Sequence, residues 1–214
     1  MATTFPSLKL RTGEYAGIER DELTKALRGL QELIFSELGL IIPILQVVDD
    51  ETLPKRVQQL EINDSKLERI SGLEPNEFWV NVRSDAVVGR KWWNRNWEAR
   101  PAIEPNTGDP AATLRGDEAG RQLWQSYGYD TRSPLGYIVF TTAAELRRHA
   151  ATLLTPDLVR YYLVRLKGPF PALVQAARRF DVESLTRVLQ AKLEQRMSIR
   201  NLRRILETML AEAV

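Results

Sequence analysis

Cysteine is absent from the 214-residue sequence, and histidine occurs once, at His149. Without cysteine there is no disulfide scaffold, thiolate metal site or cysteine nucleophile, and a single histidine excludes any site that needs two. The longest apolar run, residues 38–45, is far shorter than the roughly 20 residues that a helix needs to cross a bilayer. No basic segment followed by an apolar one opens the chain, so no secretory signal is visible. These absences predict a soluble protein of a reducing compartment, which we expect in the cytoplasm.

Motifs that carry enzyme chemistry are also missing. The sequence contains neither a glycine-rich phosphate loop nor the turn that presents a hydrolase serine. His149 follows Arg147 and Arg148, and these cations disfavour the proton uptake that a general base needs. The acidic run 49–51 is typical of a solvated turn, with a divalent-cation site as the alternative. We therefore predict no enzyme activity, no cofactor and no metal site.

The net charge of +2 conceals an asymmetry along the chain. Residues 1–90 carry 11 basic and 15 acidic side chains, whereas residues 141–214 carry 13 basic and 7 acidic ones. The balance therefore changes from −4 in the first segment to +6 in the last. Such an asymmetry indicates two differently built halves.

Hydrophobic periodicity predicts that the chain opens with a strand and a long helix. Apolar and polar residues alternate over 8–11, which is typical of a half-buried strand. Leucine and isoleucine then recur at three- and four-residue steps from Asp21 onward. This spacing predicts an amphipathic helix that ends at Gly39.

The next segments predict further strands. The apolar run 40–48 predicts a buried strand, kinked or at a sheet edge because Pro43 has no amide hydrogen to donate. Alternating patterns at 57–62 and 78–82 predict two strands that pair with each other. The residues between them, 63–76, are polar and predict a loop with a helical turn.

The middle of the chain is rich in tryptophan. Residues 91–109 contain Trp92, Trp93 and Trp97 and show neither helical nor strand periodicity, which predicts an ordered loop. Tryptophan is enriched at binding hot spots, so these three side chains are candidates for a partner-binding patch. A small core beneath the loop is the alternative.

The remainder is predicted to be mostly helical. Residues 117–127 predict a short helix and 137–140 a short strand, and after residue 141 only helices are expected. Five short helices are predicted there from their start signals. These signals are a capping box at Thr142 and Glu145, Thr155 before Pro156, Pro171, Asp181, and Ser198.

The order of these elements predicts an α+β fold. We expect one or more mixed α/β subdomains over residues 1–130, with an inserted strand pair and the tryptophan-rich loop. An all-helical subdomain is expected over residues 131–214.

Arginine doublets mark three of the predicted helices. They are Arg147-Arg148, Arg178-Arg179 and Arg203-Arg204. Nucleic-acid binding needs such charges gathered on one face, and no nucleic-acid motif accompanies them, so no nucleic-acid partner is expected. The alternative is a solvated or protein-facing surface, for which Arg147, Arg148, Arg203 and Arg204 are the candidate contacts.

Several segments together resemble a known family. The most specific are SPLGYIVFTT at 133–142 and RRHAATLL at 147–154, preceded by Gly128-Tyr129. Further matching segments are 37–43, 104–112, 185–190 and 197–207. Over residues 8–212 the combination resembles the FHIPEP family, the export-gate proteins of flagellar and virulence type III secretion systems.

The resemblance implies a fold and a function. Members have a membrane region followed by a cytoplasmic region of several subdomains, and this chain is similar to the cytoplasmic region only. Such a region is implied to be non-enzymatic, to form a homo-oligomeric ring, and to dock export chaperones, their substrates and gatekeeper proteins. The sequence leaves open whether the chain is a fragment of a gate protein, and then membrane-associated, or a stand-alone adaptor in another bacterial system, such as signalling or defence.

Overall fold

The computed structural model describes residues 6–88, 90, 93–94 and 96–212. Its first layer is a mixed four-stranded sheet in the order β2-β1-β3-β4. The strands are β1 (Leu8–Thr12), β2 (Gln46–Asp49), β3 (Val57–Ile62) and β4 (Ser65–Ser71). Helix α1 (Arg20–Leu38) connects β1 to β2, which pair in parallel. Its apolar stripe is buried, and Gly39 ends it with a φ of 73°, as predicted.

The predicted strand over 40–48 is too long. Only Gln46–Asp49 forms a strand, although Leu40 and Ile42 are buried. The backbone just before this strand forms hydrogen bonds with side chains and not with a neighbouring strand. The amide of Ile41 donates to the Tyr162 hydroxyl at 2.8 Å, and the carbonyl of Ile42 accepts from Gln31 at 3.0 Å.

The predicted pairing of 57–62 with 78–82 is wrong, and so is the loop at 63–76. Strand β3 pairs instead with β4 across a two-residue turn of Asn63 and Asp64, whose φ angles are 48° and 64°. Two successive positive φ angles match the twist of a hairpin. Strand β4 is polar because it lies at the sheet edge, where most of its side chains are exposed.

A second four-stranded sheet follows, in the order β6-β7-β5-β8. Its strands are β5 (Glu77–Val80), β6 (Glu98–Ile103), β7 (Pro110–Arg115) and β8 (Thr131–Arg132), with helices α2 (Ser84–Val87) and α3 (Glu118–Ser126) between them. The loop predicted over 91–109 therefore contains a strand, β6. Pro101 fits this strand because β6 lies at the sheet edge. Helix α3 confirms the prediction for 117–127.

The rest of the described chain is helical. The helices are α4 (Pro134–Arg148), α5 (Ala150–Leu153), α6 (Pro156–Lys167), α7 (Pro171–Ala177), α8 (Val182–Glu194) and α9 (Leu202–Glu212). The predicted caps of α6 and α8 are confirmed: Thr155 accepts from the Leu158 amide at 3.2 Å, and Asp181 accepts from the Ser184 amide at 2.7 Å.

Two helix starts differ from prediction. The strand at 137–140 and the capping box at Thr142 are wrong, because α4 begins earlier, where the Ser133 hydroxyl accepts from the Gly136 amide at 3.3 Å. Thr142 lies inside α4 and donates to the Ile138 carbonyl. Helix α9 starts after Asn201, which accepts from the Arg204 amide. Among the described residues, the hydroxyl of the predicted cap Ser198 accepts a hydrogen bond only from the Arg200 amide, in the turn before α9.

The cores explain why both halves are ordered. The main core joins β1 and α1 to the later helices through fully buried side chains such as Ile34, Leu146, Leu189 and Leu206. A smaller core lies on the second sheet around Trp124. The predicted α+β class is confirmed, while the division at residue 130 stays a prediction. None of the helices described here combines the length and apolarity that crossing a membrane requires.

Candidate protein-interaction surfaces

Two of the three tryptophans, Trp93 and Trp97, pack against the core on the second sheet. The rings of Trp93 and Trp97 meet edge to face with centroids 5.6 Å apart, and Trp97 meets Trp124 in the same way at 5.1 Å. Gly120 lies on α3, and a Cβ built on it would be 2.9 Å from the Trp97 ring, so α3 approaches this indole closely. Trp93 and Trp97 are half-buried in this arrangement. Trp92 lies outside the described residues.

Arg147 and Arg148 come together at the turn between β6 and β7. The Arg147 guanidinium donates to both carboxylate oxygens of Glu37 on α1, at 2.8 and 2.9 Å, and to the Asn106 side chain at 2.9 Å. Arg148 donates to the Pro105 carbonyl at 3.2 Å and pairs with Glu145. These contacts connect α1, α4 and the turn.

The turn between β6 and β7 is also held by Arg196 and by hydrogen bonds within the turn itself. Arg196, just after α8, donates to the Asn106 carbonyl at 2.9 Å. Burial alone would raise the pKa of Glu104, but hydrogen bonds from Asn106 and Thr107 outweigh that effect and lower it. A charged Glu104 therefore holds the turn in the shape that the arginines contact.

Arg203 and Arg204 lie on α9 and share none of these contacts. Arg203 donates to Glu207 one turn further along the helix, at 2.7 Å, and stacks over the Phe170 ring at 4.7 Å. Arg204 lines a cleft between α8 and α9 with Lys192 and Met209. The four arginines of the sequence prediction therefore form two separate sets.

Loss of the Arg147 bridge is expected to destabilise the protein measurably. We expect Arg147→Met to lower the free energy of unfolding by about 1–2 kcal/mol, because hydrogen bonds to charged groups contribute about 1.5–3 kcal/mol and partial exposure weakens them. Arg204→Met is the control, since no ion pair of its side chain occurs in the described part of the chain, and we expect a change within about 0.5 kcal/mol. Urea denaturation measures both, and equal losses would contradict the bridging role.

The clefts of the described chain are open and have different linings. One is acidic, with Asp49, Asp50 and Glu51 near Thr12. Another lies between α6, α7 and α8 and has an apolar floor. In the part of the chain described here, no three acidic, histidine or cysteine side chains are grouped as a metal site would require.

Sequence reasoning missed the cleft between α6, α7 and α8. A signal for it is present, because Arg160, Val164 and Lys167 recur at four- and three-residue steps and so share one face of α6. That face is separate from the one that buries Leu158 and Val159. An apolar residue between two cations on an exposed face is the feature that indicates a contact surface.

Comparison with known proteins identifies the family of the chain. The model of the FHIPEP family matches residues 7–214. The flagellar biosynthesis protein FlhA of Helicobacter pylori is 25% identical over 187 residues, which cover 87% of this chain and 24% of that protein. The chain thus spans about a quarter of the length of the curated relatives it matches.

Solved structures share the fold. The CdsV protein of Chlamydia pneumoniae superposes with a TM-score of 0.78 at 18% identity, over 99% of this chain and 60% of that one. The nonameric EscV cytosolic domain from the type III secretion system superposes with a TM-score of 0.68 at 17% identity, over 100% of this chain and 60% of that one. At these identities the likeness establishes the architecture alone.

Proposed function

Since this chain belongs to the FHIPEP family, we propose that it is a non-enzymatic protein-interaction module of a type III export gate. The observation that carries the proposal is the extent of the family match, which runs over residues 7–214 and so includes both sheets and the helices α4 to α9. In this role it works in the cytoplasm and docks chaperone–substrate complexes or gatekeeper proteins. Mixed charges on its helix faces suit reversible contacts of this kind.

We further propose that copies of the chain assemble into a ring. Support comes from the nonameric state of the EscV domain, which has the same fold. The charge asymmetry supports a head-to-tail arrangement, because an acidic segment (−4 over 1–90) can face a basic one (+6 over 141–214) of the next copy.

Oligomeric state and docking are tested on the purified chain. Native mass spectrometry and light scattering at about 50 mM and about 500 mM salt should show larger assemblies at low salt, because salt screens the complementary charges. Calorimetric titration with a chaperone–substrate complex should show binding, with a folded protein of similar charge as the control. A chain that stays monomeric at high protein concentration in both salts would rule out the ring. Absence of binding to any such complex would rule out the docking role.

A further inference from the structure

A groove of about 480 Å³ opens between α6, α7 and α8. Its larger apolar lining residues are Leu163, Val164, Val174, Phe180, Val182 and Leu185. The floor belongs to the fold, since Val174 and Leu185 are buried. At the rim, however, Val164 is 70% exposed, the highest value for a large apolar side chain in the described residues. The groove therefore has a solid apolar base and an open apolar edge.

The rim of the groove is basic. Arg160, Lys167 and Arg178 line it together with one acidic residue, Asp181. The carboxylate of Asp181 is already engaged, because it accepts from the amide and the hydroxyl of Ser184, each at 2.7 Å. The hydrogen bond from the Ser184 hydroxyl is the main reason why the pKa of Asp181 is lowered.

The cations of the rim differ in how far they are neutralised. Arg160 pairs with Asp157 at 2.6 Å and with Glu183 at 3.0 Å. In contrast, Lys167 and Arg178 form no ion pair or side-chain hydrogen bond with any residue that the structure describes. Two positive charges beside an apolar groove are thus left to attract an external anion.

We propose that this groove binds an acidic amphipathic helix of a partner protein. An amphipathic helix fits an apolar groove by inserting side chains spaced three and four residues apart, and its acidic flanks would meet Lys167 and Arg178. A helix of a second copy fits the groove less well: α1, the longest helix among the described residues, carries four acidic and three basic side chains and already buries its apolar stripe in the core. The inference goes beyond the export-gate role, because it holds whether or not copies form a ring.

The probe is a synthetic amphipathic peptide with leucines at helical spacing and glutamates on both flanks. Its counterpart carries lysines in place of the glutamates. Fluorescence anisotropy with the full chain should show binding of the acidic peptide only. Val164→Asp should weaken that binding about tenfold or more, since it places a like charge at the apolar edge, and the exposed position leaves the fold intact.

Charge reversal tests the rim separately. Lys167→Glu and Arg178→Glu should each weaken binding several-fold. Arg165→Glu is the matched control, because Arg165 has the same charge on the same helix but does not line the groove. We expect Arg165→Glu to weaken peptide binding by no more than about twofold. This small loss arises because the added negative charge repels the acidic peptide at long range.

Three outcomes would overturn the proposal. The first is equal binding of the acidic and basic peptides, and the second is equal damage by Lys167→Glu and Arg165→Glu. The third is that Val164→Asp dissociates an oligomer of the chain in the absence of peptide, because a second copy would then occupy the groove. Sedimentation velocity measures this. Unchanged assembly together with lost peptide binding supports the proposal, and it separates this groove from the ring contacts of the proposed function.

Discussion

Replacing Gly39 by alanine is expected to destabilise the protein by about 4 kcal/mol. The φ of Gly39 is 73°, a conformation that costs other residues about 1–2 kcal/mol. In addition, a Cβ at this position would lie 2.4 Å from both the Cα and the amide nitrogen of Arg200. These are backbone atoms that cannot rotate away, so the clash adds about 1–3 kcal/mol.

The cost is high because Gly39 lies where the two halves of the chain meet. The Leu38 carbonyl accepts from the Ile199 amide at 2.8 Å, and this bond joins the end of α1 to the segment between α8 and α9. Tyr162 reinforces the junction by donating to the Gly39 carbonyl at 3.1 Å. Burial raises the pKa of Tyr162 to about 12, so its hydroxyl keeps this proton at any ordinary pH. Pushing Arg200 away would disturb all of these bonds together.

Gly17→Ala separates the cost of a positive φ from the cost of the clash with Arg200. Gly17 also has a positive φ, 78°, but a Cβ there would meet no atom within 4 Å. We therefore expect it to cost only about 1 kcal/mol, from backbone strain alone. Urea denaturation followed by circular dichroism measures both variants. Similar losses of unfolding free energy for Gly17→Ala and Gly39→Ala would show that the close contact with Arg200 does not contribute to the cost.

The parts of the fold that could be predicted are those with local signals. The spacing of Leu27, Leu30 and Ile34 predicts α1 because these side chains fill one face of a single helix. Thr155 and Asp181 predict helix starts because a cap bonds to an amide only three residues away. In each case the deciding contact lies within one turn of the residue that signals it.

The errors have tertiary causes. Residues 137–140 are β-branched and aromatic, which favours a strand, yet they form helix, with Ile138 and Val139 packed in the main core and Tyr137 and Phe140 packed near Trp79. Strand β4 is polar because it lies at an edge, and sequence periodicity cannot reveal an edge. Partners of the candidate site residues are equally remote: Arg147 meets Glu37, which is 110 positions earlier in the chain.

The same limit applies to the groove. Its lining is built from residues of α6, α7 and α8, and only the packing of these helices brings Val164 of the rim close to Val174 and Leu185 of the floor. The basic face of α6 is visible in the sequence, but the apolar groove beside it is not. Sequence can therefore nominate a surface helix, whereas the structure identifies what that helix borders.

Truncation of Trp124 to alanine is expected to cost about 3–5 kcal/mol. Trp124 is fully buried in the small core of the second sheet, where it meets the Phe78 ring at 5.8 Å and the Trp97 ring at 5.1 Å. Removing a buried tryptophan side chain leaves a large cavity and typically costs this much. The buried side chains around it, such as Phe78 and Leu114, are already packed in this core, so they can fill only part of the space. We also expect the near-UV circular dichroism signal of the packed indoles to fall.

Trp124→Phe is the conservative control. It keeps an aromatic ring against Phe78 and Trp97, and it removes an indole N–H that is buried without a hydrogen-bond partner among the described residues. Losing an unpaired polar group offsets part of the lost volume, so we expect a cost of about 1–2 kcal/mol. Calorimetric melting compares the two variants. If phenylalanine costs as much as alanine, then the indole nitrogen must have a partner, and the ring contacts alone do not explain how α3 is held on the second sheet.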